Sequence, residues 1–484
     1  MRLLPESRSR QEMIDQYGDW FKWLALLVVG LGTIAAVLAT TSFNVAVPAL
    51  SDYFGIGQDK VQWVITGFMA ALTVGMLPTP WFLERFGFRK IFLYANFFLA
   101  VFSIAGALSN DFLLVVIWRV LQGTMAGLLT PLPMLAVMRL FPKGTQGRAA
   151  GILTFGIVLA PAVAPSLSGI LLEHYGWQSI FLLSVPFCIL TGVLGLHWLP
   201  VPGKLSNKSF DWTGVVILCL VSLLSINLIT DMSNQGILAT GTIVQLLLLL
   251  VLVWFFVHHA RSSRISIISL EVFLERSFAM GTIVSLAYGV GLYASSYLIP
   301  VYMQQALDYN AAMSGLALLP SGIVLVLIIP IAGLLADYFS PRGITVVGMA
   351  IFGASFILFV IPAADVTYSE LVYITIPGRI GLGLIIPSLT LAMLGYLKTD
   401  LLGQGSMIMN FSRQLGGTLG VAVVAVFVEW RVAYYSAQNT EIIHAYLEGF
   451  ILIAIIFAVA TLVALKMKPR SNVITKTVGS HDHM

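Results

Sequence analysis

Fourteen apolar runs of about twenty residues punctuate this 484-residue chain, each long enough for a helix rising ~1.5 Å per residue to cross a bilayer core about 30 Å thick. They cover residues 24–48, 61–83, 91–108, 112–137, 149–172, 179–200, 212–230, 236–257, 278–304, 313–336, 343–362, 371–396, 407–430 and 441–466. Lipid offers no hydrogen bonds to a peptide group, so each run is predicted to be a helix that satisfies its own backbone. The chain is 58% apolar and 10% charged, with mean hydropathy +0.93, whereas soluble domains carry about 25% charged residues. It cannot cover a soluble body of this size with polar groups, so the bilayer is its main partner.

The net charge of +4 does not mark a nucleic-acid binder, because the basic residues fall in short clusters between apolar runs. With the first segment on the inner side, the inner segments hold 21 Lys and Arg residues and the outer ones hold Lys60 and Arg431. That asymmetry predicts a multi-pass protein of the inner (plasma) membrane with both termini cytoplasmic and an even number of helices. The segment 1–23 has no short apolar stretch before a cleavage site and is expected to be retained. Cys188 and Cys219 lie within apolar runs and read as small hydrophobes. All seven His residues are interfacial or terminal, without a buried His–carboxylate or metal cluster, which argues against an intramembrane enzyme and for no resident metal or cofactor.

Two internal echoes divide the chain. Glu84-Arg85-Phe86-Gly87-Phe88-Arg89-Lys90 follows the second run, and Gly333-Leu334-Leu335-Ala336-Asp337-Tyr338-Phe339 follows the tenth. Arg119 in the fourth run and Arg379 in the twelfth are each followed by glycines and then a proline, Pro131 or Pro387. If runs 1–6 repeat as 9–14, both pairs fall at equivalent positions. The expected organisation is a six-helix bundle over 24–200, two inserted helices over 201–262 and a second six-helix bundle over 263–466, with cytoplasmic segments at 1–23 and 467–484. Repeats of this kind build many secondary transporters, with the substrate near mid-membrane between the halves.

Several stretches then carry a resemblance. They are Leu38-Ala39-Thr40-Thr41-Ser42-Phe43-Asn44-Val45-Ala46-Val47-Pro48, Gln62-Trp63-Val64-Ile65-Thr66-Gly67-Phe68, Arg119-Val120-Leu121-Gln122-Gly123, and Phe141-Pro142-Lys143 with Gly147-Arg148. Further on stand Ala160-Pro161-Ala162-Val163-Ala164-Pro165-Ser166-Leu167-Ser168-Gly169, Leu319-Pro320-Ser321-Gly322 and Asn410-Phe411-Ser412-Arg413-Gln414-Leu415-Gly416-Gly417. In this order they resemble the major facilitator superfamily, specifically its fourteen-helix drug:proton antiporters, the group of QacA-like and EmrB-like exporters. The resemblance implies alternating access, drug-like small-molecule substrates, an ion gradient (protons) as the drive, and either solitary action or transfer to a periplasmic adaptor and outer-membrane channel.

The residues fill those roles in physical terms. Arg119 lies roughly 12 Å inside its run and, like Arg379, is expected to face a polar cavity rather than lipid. Arg413 stands nearer the inner end, where it can snorkel. Thr40, Thr41, Asn44, Trp63, Gln122, Tyr288, Tyr293 and Asn410 can line the same cavity without fixed charge. Glu84, Arg85, Arg89 and Lys90 about the Gly87 turn, with Asp337 at the echo, are expected to latch one half to the other at the inner mouth. Pro161, Pro165 and Gly169 give the fifth run the small, bendable surface of a hinge. Ala39 stands where the resembled family carries an aspartate, and no Asp or Glu occupies the central third of any run. Proton coupling is therefore expected to use an edge carboxylate such as Glu84, Asp111, Asp337 or Glu429, or the substrate itself, and the substrate is expected to be anionic or neutral. Export of toxic amphiphiles leads; movement of a nutrient or metabolite by the same fold is the alternative.

Overall fold

The computed structural model describes residues 10–201, 209–235, 239–263, 266–361, 366–438 and 440–469; residues 1–9 and 470–484, assigned above to cytoplasmic segments, lie outside these. Fourteen helical spans run in chain order: α1 Trp20–Thr41, α2 Trp63–Gly75 continued by Thr79–Phe86, α3 Phe88–Ala107, α4 Phe112–Leu140, α5 Gln146–Tyr175, α6 Gln178–Trp198 and α7 Trp212–Gln235. They continue as α8 Thr240–Ser262, α9 Arg276–Gln305, α10 Ala311–Tyr338, α11 Pro341–Val360, α12 Tyr368–Leu394, α13 Leu402–Ala437 and α14 Ile443–Ala464. Eleven of them are long and apolar enough to cross a membrane, and α2 makes twelve when its two segments, bent by 53°, count as one span. The 30-residue α5, and α7 with an apolar part, Trp212–Ser225, shorter than a full span, stand at the two remaining predicted positions among the described residues.

Breaks coincide with prolines, which lack the N–H that a continuous helix needs. Pro78 and Pro80 start the second segment of α2, Pro131 and Pro133 interrupt α4, and Pro186 follows the break in α6. The first span stops earlier than the apolar run suggested. Thr40, Thr41 and Ser42 donate their hydroxyls to the Ala36, Val37 and Leu38 carbonyls, and beyond Thr41 the chain tightens into a 3₁₀ turn, Ser42–Val45, before the short helix Val47–Phe54.

The helix pairings repeat with an offset of eight. Within the first six helices α1 packs on α5 and α6, α2 on α4, and α3 on α4 and α6; within the last six α9 packs on α13 and α14, α10 on α12, and α11 on α12 and α14. Helix α7 packs against both halves, on α2 and α13, whereas α8 packs on α7 and buries only 6% of its apolar window. Buried Asp211 anchors this pair, and its contact with His259 corrects the expectation that no His residue meets a buried carboxylate. Its carboxylate accepts from Gly214 N at 2.8 Å, His259 Nε2 at 2.8 Å and Ile267 N at 3.0 Å, and so ties the start of α7, the end of α8 and the linker into α9.

Candidate transport pathway and gate

In the first half, Arg119 is fully buried, at 0% exposure. Its Nε donates to the Val64 carbonyl of α2 at 3.1 Å, and its Nη1 donates to the Ala39 carbonyl of α1 at 2.9 Å and to Gln122 Oε1 at 3.1 Å. The Phe43 and Phe68 rings stack on the guanidinium, with centroids 4.2 and 4.0 Å from Cζ. Gln122 Nε2 donates to Ser103 Oγ of α3 at 2.6 Å, and Ser103 meets Ser184 of α6 at 3.1 Å. One arginine thus joins α1, α2 and α4, and through Gln122 also α3 and α6. The expectation that Arg119 and Gln122 line an open cavity is corrected, because backbone carbonyls and neutral side chains enclose both. The Thr40 and Thr41 hydroxyls are spent on their own helix, and Trp63 is 58% exposed at the start of α2. The side chains of Asn44 and Pro165 lie outside the described residues.

The second half is less closed around its cations. Arg379 of α12 is half-buried, makes no hydrogen bond or ion pair among the described residues, and lines a narrow slot with Ser295, Ser355 and Thr375. Tyr288 of α9 is buried, its hydroxyl has no partner among the described residues, and Arg379 and Arg413 both lie within electrostatic range of it. Arg413 does not snorkel: Nη2 donates to Asn410 Oδ1 at 2.7 Å, while Asn410 donates to the Ser406 carbonyl at 2.8 Å. Tyr293 donates to Gln414 Oε1 at 3.1 Å.

The halves meet at the end that carries the basic loops. Asp337, at the end of α10, accepts from the backbone N–H groups of Gly147 and Arg148 in the first turn of α5, both at 2.7 Å. A carboxylate across a helix N-terminus gains from both hydrogen bonds and dipole. Beside it the backbones touch: a Cβ on Gly147 would stand 2.2 Å from the Gly333 carbonyl, and one on Gly333 would stand 2.7 Å from Gly151 Cα. Ser406 of α13 also donates to the Pro131 carbonyl of α4 at 2.7 Å. At the opposite end Gly169 of α5 and Gly315 and Gly322 of α10 have open space before them.

The other latch residues divide. Gly87 holds φ +83° and ψ 158°, a conformation that side chains rarely adopt, and makes the sharp turn from α2 into α3. Glu84 lies in electrostatic reach of Arg139, and it shares a cavity of about 200 Å³ with Asp211, Glu271, Asp400 and Gln404. Across that cavity Lys398 donates to Glu271 at 2.6 Å, a bond that raises the lysine pKa. Arg85 is half-buried on the same turn, and Lys90 is exposed. Arg89 is corrected: it donates to the Leu196 carbonyl of α6 at 2.7 Å and so braces its own half. Helix α5 runs unbroken past half-buried Pro161 and on through Gly169.

Among the proposed edge carboxylates, Asp111 is the N-cap of α4, accepting from Leu113 N at 2.8 Å and Leu114 N at 3.2 Å, a structural use that the Asp before an apolar run already signalled. Glu429 is exposed on α13. A neighbouring cluster carried no signal in the sequence: Glu448 of α14 pairs with Arg431 and accepts from Tyr435 at 2.8 Å. Gly147 stands in the sequence only as part of the Gly147-Arg148 stretch, and its small-xxx-small spacing with Gly151 was a further close-packing signal.

A family model described as Major Facilitator Superfamily matches residues 29–421. The chain belongs to the Major Facilitator Superfamily. Like other major facilitator proteins it is a multi-pass membrane transporter. A multidrug resistance protein B homolog of Mycobacterium tuberculosis is 28% identical over 449 residues, which cover 91% of this chain and 82% of that protein. The riboflavin transporter RibZ of Clostridioides difficile is 27% identical over 414 residues, 85% of this chain and 90% of its own. The solved structure of the proton:xylose symporter XylE bound to 6-bromo-6-deoxy-D-glucose aligns with TM-score 0.67 at 14% identity, over 93% of this chain and 96% of that one, a likeness of fold. Within this fold, Asp337 and the Gly147–Gly333 contact lie where the two halves touch, and Arg379, Tyr288 and Arg413 stand on α12, α9 and α13 of the second half.

Proposed function

We propose that this chain is a secondary active exporter of antibiotics or other toxic amphiphiles, working by alternating access and proton antiport and favouring anionic or neutral compounds. The observation that carries the preference is the charge of the interior. Arg119, Arg379 and Arg413 lie within the spans, and among the described residues no carboxylate stands in the central third of any span. A guanidinium without a counter-ion attracts a carboxylate or phosphonate and repels an organic cation. Arg379 is the one of the three without a hydrogen bond among the described residues, and the Tyr288 hydroxyl beside it is a donor in want of an acceptor.

The drug-resistance relative supports export. The relative named as a riboflavin transporter supports the second reading, uptake or release of a metabolite, and growth on defined solutes separates the two. In this reading the chain sits in the inner membrane with its basic loops and both termini in the cytoplasm. It works alone or hands substrate to a periplasmic adaptor and outer-membrane channel.

The test is a susceptibility panel in a strain stripped of its own pumps. Arg379→Ala is expected to lose about tenfold protection against anionic drugs, equivalent to about 1.4 kcal/mol of binding, while protection against neutral ones stays within about twofold. Equal export of quaternary ammonium compounds by the unaltered protein would contradict the preference. Export by reconstituted protein that persists after an uncoupler collapses the proton gradient would remove the antiport reading.

A further inference from the structure

Beside the closed gate, a cavity of about 340 Å³ opens between the α4–α5 turn of the first half and the α10–α11 and α12 ends of the second. Three cations converge on it: Lys143, Arg342 and Lys468. Arg342 is held by the Leu465 carbonyl at 2.5 Å and Lys468 by Glu275 at 2.8 Å, and each keeps further donors. Lys143 is exposed and makes no ion pair among the described residues. Asp337 also lines the cavity, but both its oxygens are committed to the first turn of α5. Ser340, on the same wall, has a buried Oγ without a hydrogen-bond partner among the described residues. The floor, formed by Leu391, Ala392 and the flank of Tyr396, is apolar.

A hydroxyl lacking an acceptor, on the lining of a cavity it shares with three cations, calls for an anion with several oxygens, and a phosphate supplies them. The apolar floor suits a glycerol or acyl stem attached to it. We infer that this cavity binds a phosphate-bearing anion, the headgroup of an anionic phospholipid or a soluble phosphate ester, and that the bound anion favours the closed gate. The second clause follows from the walls. Lys143 belongs to the first half and Arg342 and Lys468 to the second, so the full set of donors exists only while the halves touch here. A ligand that binds one conformation better shifts the population towards it.

The experiment places the whole chain in phosphatidylcholine nanodiscs, with probes at Thr145 and Asp400 reporting the distance across the gate. Either phosphatidylglycerol in the disc or glycerol phosphate in solution is expected to raise the closed fraction, and the one that acts identifies the source of the phosphate. Lys143→Gln is expected to weaken the response about fivefold, the effect of one basic residue near an anionic headgroup. Ser340→Ala should also weaken it, and the remote Lys60→Gln should leave it unchanged. A gate distance that ignores both probes overturns the inference. So does an undiminished response in Lys143→Gln and Ser340→Ala, or an equal loss in Lys60→Gln.

Discussion

Replacing Arg119 removes in one step the donors to the Ala39 and Val64 carbonyls and to Gln122, all inside a site without solvent. Unsatisfied buried acceptors cost about 1–3 kcal/mol each, so Arg119→Ala is expected to lose about 3 kcal/mol or more of stability, read as a lowered thermal unfolding midpoint of the purified protein. Arg379→Ala, whose parent makes no hydrogen bond among the described residues, should unfold near the unaltered midpoint. The two arginines looked alike in the sequence, each deep in an apolar run and followed by glycines and a proline. Depth was legible because it follows from counting residues. What each guanidinium touches was not, because the acceptors of Arg119 lie 55 and 80 residues away and become acceptors only through the folded arrangement of α1 and α2. For the same reason Arg89 read as a latch, while its partner, Leu196, lies 107 residues on.

At the scale of elements, the proposed alternating access turns on α5 against α10, whose backbones touch at the basic end. The Gly147–Gly333 contact leaves no room for a methyl group: the nearest atom to one on Gly147 is the Gly333 carbonyl oxygen, backbone that cannot rotate aside, and the next belong to the Asp337 carboxylate. Gly147→Ala is expected to keep the gate apart in a folded protein: turnover falls more than about tenfold while the unfolding midpoint shifts little, since the contact lies between halves rather than within one. Transport by reconstituted protein and thermal unfolding, measured together, check it. Helix existence was legible throughout, since bilayer thickness sets a length that a sequence must meet. Helix ends were less so. The early stop of α1 arises from three consecutive hydroxyls turned back on their own carbonyls, and α13 extends to 36 residues because its ends project beyond the apolar run.

For the whole molecule, the repeated pairings make two similar bodies joined by α7, which touches both, and by contacts concentrated at one end. In the proposed mechanism these bodies move as units: their interiors are bound by networks such as Arg119–Gln122–Ser103–Ser184, and the seam between them is the packing of α5 on α10 with the hydrogen bonds and glycine contacts at its basic end. Alternating access requires the seam to open at the basic end as it closes at the other. Paired spin labels test it most directly in a chain freed of Cys188 and Cys219: one pair at Thr145 and Asp400 across the basic end, the other at Asp52 and Asp308 across the opposite end. Two distance populations are expected for each pair, the long distance at one end accompanying the short distance at the other as substrate and pH are varied. A single unchanged distance at both ends under conditions that support transport would contradict it.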